Sequence, residues 1–265
     1  MNEAVMRDIL DLERFPLDQP GSKAWQSLVE TCSQELAQQG LFNLEGLLRP
    51  EVAEFTVSEM IPRFDTDAFL HQRRHNIYFK KIEELPEDHP ALQEFDTSNR
   101  TLCADQIQGT ALLRLYEWPE FAHFLAATMN KSVLHVMDDP LARVNVMSYR
   151  EGQALNWHFD RSEFTTTMLL QAPDQGGAFE YRKDLRSETD PNYDGVAKLL
   201  SGNDKNSRVI SLSPGTLNVF KGKNTAHRVT PVAGSKPRII AVFSYYENPG
   251  VTFSDTERMG FYGRA

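Results

Sequence analysis

Residues 217–246 read LNVFKGKNTAHRVTPVAGSKPRIIAVFSYY. Three runs in it, LNVF, HRVTPV and RIIAVFSYY, are β-branched or aromatic, and Gly, Asn and Pro part them. Such runs read as strands joined by turns. The same texture extends back to about residue 141, through LARVNVMSYR, ALNWHFD, EFTTTMLLQ, GAFEYR and RVISLS. Many short strands at close spacing predict a sandwich or barrel. One interruption, ETDPNYDGVAKLLSGND at 188–204, predicts a small helix. Asp190 is its expected cap, Pro191 suits its first turn, and Gly202 follows its last apolar pair.

The first 140 residues have a different character. SKAWQSLVETCSQELAQQG at 22–40 predicts a helix with Ser22 as N-cap and Gly40 as its stop. A short strand at LFNL, a turn at Arg49-Pro50 and a second helix ending near Pro62 follow, and EWPEFAHFLAATMN at 117–130 predicts another helix. FLHQRRHNIYFKKIEELPEDHP, at 69–90, carries no assignable pattern. No repeat or low-complexity linker divides the chain, so a single unit over 1–265 is expected, of α+β class with a mainly β core. Its parts are a mainly helical support and lid region at 1–140, a β core at 141–250, and a C-terminal segment at 251–265 closing near the site.

Composition narrows the function. The 265 residues are 40% hydrophobic and 25% charged, as in a globular protein. A net charge of −9 argues against a broad nucleic-acid surface, which needs clustered Lys and Arg. No apolar run approaches the roughly 18–20 residues that span a bilayer, and the charged N-terminus has no signal-peptide core. With Cys32 and Cys103 in unrelated contexts, no disulfide framework is expected. These features predict a cytoplasmic protein, monomer or homodimer, with no membrane or nucleic-acid partner.

Side chains alternate along a strand, so His158 and Asp160 in NWHFD share a face. His227, after the polar loop KGKNTA, is the natural third donor. Two histidines and one carboxylate leave open positions on a metal, which suits a non-haem Fe(II) oxygenase. Arg238 follows on an apolar strand, where a guanidinium needs a carboxylate partner. The remaining histidines, His71, His75, His89, His123 and His135, show no ligand spacing and read as structural.

From about Arg143 to Tyr246 the chain resembles the 2-oxoglutarate/Fe(II)-dependent dioxygenase superfamily. VNVMSYREGQALNWHFD, APDQGGAFEY and LSPGTLNVFKGKNTAHRVTPVAGSKPRIIAVFSYY carry the resemblance. It implies a double-stranded β-helix, the jelly roll of cupins, flanked by N-terminal helices. His158, Asp160 and His227 become the implied iron ligands, Arg238 the anchor of 2-oxoglutarate, and Tyr149 a further contact to it. Fe(II), 2-oxoglutarate and O₂ are the implied cofactors, with ascorbate helpful in vitro.

HFDRSEFTTTMLLQAPDQGGAFEY, the Arg186–Tyr193 stretch and the closing FYGR resemble a narrower group of radical halogenases and free-amino-acid hydroxylases. In its halogenases a glycine replaces the carboxylate ligand and makes room for chloride. Asp160 here implies hydroxylation. A free amino acid is the expected substrate, with Arg73, Arg74 and Arg161 as candidates for its carboxylate and Glu163 for its ammonium. The alternatives are a peptide, protein or larger natural-product substrate, a non-redox cupin-like protein holding Zn²⁺ or Ni²⁺, and a binding module with a vestigial site.

Overall fold

The computed structural model describes residues 3–265. Its centre is a 7-stranded antiparallel sheet in the order Leu41–Leu44, Leu217–Phe220, Thr165–Gln171, Arg238–Phe243, Val144–Tyr149, Glu94–Leu102, Phe69–Asn76. A 4-stranded sheet packs against it, in the order Arg208–Ile210, Phe179–Arg182, Ala226–Val229, Leu155–His158. The rings of Phe179 and Phe220, one from each sheet, meet at 4.9 Å. The arrangement is the jelly roll implied by the sequence.

Alternation sorts the large sheet into two faces. Val144, Val146, Met168, Leu170, Val219, Ile239 and Ala241 turn outward and join Trp118, Phe121, Phe124 and Leu125 in one apolar cluster under the helices. Asn145, Met147 and Tyr149 turn inward to a cavity. Both faces are therefore buried, which is why these strands read as nearly continuous apolar runs.

The helix Lys23–Gln39 starts at Ser22, whose hydroxyl accepts from Trp25 N, and stops at Gly40 in the left-handed conformation with φ 84°. It lies along the Pro119–Thr128 helix, joined by Ser33 Oγ donating to the Thr128 carbonyl at 3.0 Å. No helix among the described residues is long and apolar enough to cross a membrane.

Two expectations change. The small helix is Tyr193–Leu200, and Asn192, not Asp190, caps it by accepting from Gly195 N. Asp190 instead accepts from Asn192 N at 2.7 Å and so holds the cap in place. Residues before 141 also supply two strands that the sequence pattern does not announce. Phe69–Asn76 and Glu94–Leu102 pair over eight positions and extend the large sheet, while the expected strand at Leu41–Leu44 forms its other edge.

The C-terminal segment is tied down firmly. Asp139, fully buried, accepts from the backbone of Leu141, Ala142 and Phe253 and from Arg258 Nε, each at 2.9 Å. This carboxylate fixes the helix Asp255–Tyr262 against the barrel. Tyr262 reaches the inner face, donating to Asn145 Oδ1 at 2.9 Å.

Candidate active site

His158 ends its strand and pairs directly with His227 on the neighbouring one. Their rings lie 4.1 Å apart between centroids. Asp160 stands just past the strand end, with Oδ1 3.3 Å from His158 Nε2 and Oδ2 3.4 Å from His227 Nε2. One ligand atom from each residue falls within 4.8 Å of the others, a spacing one metal ion can bridge.

The surroundings prepare the three donors. His158 Nδ1 donates to the Asn156 carbonyl at 2.8 Å and His227 Nδ1 to the Thr225 carbonyl at 3.0 Å. A carbonyl can only accept, so each Nδ1 carries the proton and each Nε2 lone pair is presented to the site. Thr165 donates to Asp160 Oδ2 at 2.6 Å, and Asp160 N donates to the Gly222 carbonyl at 3.1 Å. Gly222 has a steric reason to be glycine, because a Cβ there would lie 2.1 Å from Asp160 Oδ2. Phe179 and Phe220 pack on the His227 ring at 5.7 and 4.8 Å. Phe159 lines the cavity, and Trp157 belongs to the same apolar cluster and lies under the Arg228 guanidinium at 4.9 Å.

Burial raises the pKa of Asp160, but the charge of His227 and hydrogen bonds from both imidazoles outweigh it and hold the carboxyl well below its usual range. Burial lowers the pKa of His227, and the Asp160 carboxylate more than reverses this. For His158, burial and the neighbouring His227 win, and its pKa falls. An anionic oxygen and a lone pair on His158 are therefore favoured, and at His227 a metal ion would compete with the proton that the Asp160 carboxylate favours.

Arg238 is 3% exposed and lies opposite Tyr149 in the ladder. Its Nε donates to the Gly177 carbonyl at 3.1 Å, while Nη1 is buried with no hydrogen-bond partner. Burial lowers its pKa to about 10 and pushes that of Tyr149 up to about 12. An orphaned guanidinium nitrogen inside a barrel fits a carboxylate that arrives with a ligand. Arg238 borders a cavity of 290 Å³ together with Gly177, Leu169 and Phe179. Tyr149 lines a larger one, of 670 Å³, with His158 and Asp160.

The walls of the larger cavity come from strand alternation. His71, Arg73 and His75 project from one strand, Thr97, Asn99 and Thr101 from the next, and Phe261 and Tyr262 from the C-terminal helix. His71 and His75, structural in the sequence reading, thus face the cavity. His75 Nδ1 donates to the Asn76 carbonyl and its Nε2 meets Thr97 Oγ1, both at 2.9 Å. Of the expected substrate contacts, Arg73 and Arg161 line the cavity. Arg74 turns to the outer surface, where it binds Glu94 at 2.8 Å and Asp96 at 3.3 Å. Glu163 lies off this cavity and pairs with Lys131 at 2.7 Å. Arg186, not singled out in the sequence reading as a contact, lines the cavity with its Nε donating to the Lys223 carbonyl at 2.8 Å.

A family model described as halogenase D (HalD) matches residues 24–257. The chain belongs to the halogenase D family. Membership puts it among the 2-oxoglutarate/Fe(II) oxygenases, enzymes whose cofactors are Fe(II), 2-oxoglutarate and O₂. Solved structures share the fold of this halogenase D family member. AviO1 from Streptomyces viridochromogenes Tue57 aligns with a TM-score of 0.56 at 16% identity, covering 84% of this chain and 96% of that one. The non-heme alpha ketoglutarate dependent carbocyclase SnoK from nogalamycin biosynthesis aligns at 0.55 and 13%, covering 91% and 94%. A 2OG-Fe(II) oxygenase family oxidoreductase from Burkholderia pseudomallei aligns at 0.50 and 14%, covering 88% and 94%. No curated protein matches in sequence.

Proposed function

We propose that this chain hydroxylates an unactivated C–H bond of a small substrate, a free amino acid or a derivative of one. In this reading His158, Asp160 and His227 hold Fe(II), and Arg238 anchors the far carboxylate of 2-oxoglutarate beside Tyr149. The observation that carries it is the convergence of three ligand atoms in a barrel that also buries a guanidinium with an unpaired Nη1. When bound, the iron couples decarboxylation of 2-oxoglutarate, to succinate and CO₂, with oxidation of the substrate, chemistry no side chain supplies.

The chain's own residues do the rest. Asn156 and Thr225 fix the imidazole tautomers, and Thr165 orients the carboxylate. Phe179 and Phe220 exclude water behind His227. Asp160 favours hydroxylation over halogenation, because its oxygens stand between the two imidazoles where a chloride would need room. A walled cavity of 670 Å³ suits a small molecule better than an extended peptide groove. A reducing, cytoplasmic setting belongs to the same reading, since Cys32 and Cys103 are both free and buried.

The test is aerobic turnover with Fe(II), ascorbate, 2-oxoglutarate, chloride and a panel of amino acids. Substrate-dependent succinate release is expected, with a product that gains one oxygen and no chlorine. A chlorinated product from the unaltered protein, or no turnover under any condition, would contradict the proposal.

A further inference from the structure

The larger cavity is lopsided in charge. Arg73, Arg161, Arg186 and Lys223 line it, and Asp160 is the one carboxylate among its lining residues. Arg161 is matched by Glu257 and Lys223 by Glu188, each at 2.8 Å. Arg73 and Arg186 have no carboxylate within ion-pair reach among the described residues. Each lies on an aromatic face instead, Arg73 4.6 Å from the Phe79 centroid and Arg186 4.0 Å from that of Phe159.

These two aromatic rings flank the candidate iron ligands. The Phe79 ring meets His158 edge-on at 5.9 Å, and Phe159 separates His158 from Asp160 in the chain. Arg186 spends only Nε on the protein, on the Lys223 carbonyl, and leaves the outer edge of its guanidinium fork unbonded. Burial lowers its pKa and outweighs the attraction of Tyr78, Glu188 and Asp160. The rest of the polar wall includes Thr97, Asn99 and Thr101, which are neutral, and His71 and His75, where burial lowers the pKa and so favours the neutral imidazole. Nothing in the cavity offers a free carboxylate to a second ammonium.

We infer that the substrate carries two acidic groups, one bound by Arg73 and the other by Arg186. The inference rests on the reading of the site given above and narrows the amino acid to an acidic one. A phosphate monoester presents the same chemistry, since a guanidinium fork matches carboxylate and phosphate alike. A lysine-like substrate is disfavoured, because its side-chain ammonium would face Arg73 or Arg186 with no compensating carboxylate.

Anaerobic calorimetry on the protein loaded with Fe(II) and 2-oxoglutarate tests this, with L-aspartate, L-glutamate, O-phospho-L-serine, L-lysine and L-leucine as titrants. At least one of the three titrants with two acidic groups should bind about tenfold or more tighter than lysine and leucine. Arg73→Ala and Arg186→Ala should each weaken that titrant by about tenfold or more, and Arg→Lys should restore part of the loss. Tighter binding of phosphoserine than of glutamate would assign the phosphate source, and the reverse the dicarboxylate.

Equal or tighter binding of lysine or leucine, no binding by any of the three titrants with two acidic groups, or alanine variants within about twofold of the parent would overturn the inference. So would loss of 2-oxoglutarate binding in Arg186→Ala, which would give that arginine to the co-substrate. Failure of the underlying site reading shows separately, as an unaltered protein whose Fe(II) complex does not bind 2-oxoglutarate at the loading step.

Discussion

Asp160→Gly should lower hydroxylation by about a thousandfold or more while the chain stays folded. Removing a partner one shell out from a metal costs about 10–100-fold in affinity or activity, and a direct ligand should cost more. Asp160 also holds the His227 pKa up. Without the carboxylate, burial dominates and the imidazole pKa falls, so the site changes in charge as well as in donor count. The fold should survive, because Asp160 lies past the end of the Leu155–His158 strand and its side chain bonds only Thr165 and the two imidazoles. Near-parental hydroxylation by this variant, with an unchanged circular dichroism spectrum, would remove Asp160 from the ligand set.

Arg238→Leu should do two opposite things. Binding of 2-oxoglutarate should weaken by about a hundredfold or more, since stripping one partner from a buried ion pair costs about 3–5 kcal/mol. The ligand-free protein should become more stable. The guanidinium is buried with Nη1 unpaired, and burial lowers its pKa to about 10. A cation whose folded pKa lies below its unfolded one destabilises the fold at all lower pH, and that cost fades only as pH rises above 10 toward the ordinary arginine range. It amounts to about 3 kcal/mol at neutral pH, and losing the Gly177 hydrogen bond gives back about 1 kcal/mol. A ligand-free Tm raised by several degrees is therefore expected, together with loss of the further rise that 2-oxoglutarate gives the parent. An unchanged apparent KM for 2-oxoglutarate, or a lowered ligand-free Tm, would contradict this role.

Most of the barrel was legible because its strands bury both faces. Val144–Tyr149 and Arg238–Phe243 stand out as apolar runs, and the polar residues set into them, Arg238 above all, are conspicuous there. Phe69–Asn76 and Glu94–Leu102 escaped notice for the opposite reason. Their inner faces line a polar cavity and their outer faces meet solvent, so neither face carries an apolar rhythm. Without that strand the parity of Arg73 and Arg74 was undecidable. Adjacent residues in a strand oppose each other, and only Arg73 reaches the cavity. A sandwich or barrel and three candidate donors could be read from the strand texture and spacing, and the family resemblance narrowed the barrel to a jelly roll. The steric role of Gly222 and the placement of Arg186 could not, since each depends on contacts between loops that sequence distance hides. The cap of the small helix failed on a detail of the same kind. Asn192 takes the left-handed conformation, φ 51°, which Asn adopts more readily than most residues and which an Asp-Pro pattern does not announce.

Anaerobic addition of Fe(II) and then 2-oxoglutarate, read as visible absorption, tests the central claim most directly. One charge-transfer band per chain should appear on chelation of 2-oxoglutarate to iron, and His227→Ala should abolish it. No band in the parent protein, or a band undiminished without His227, would contradict a single iron held by these three side chains.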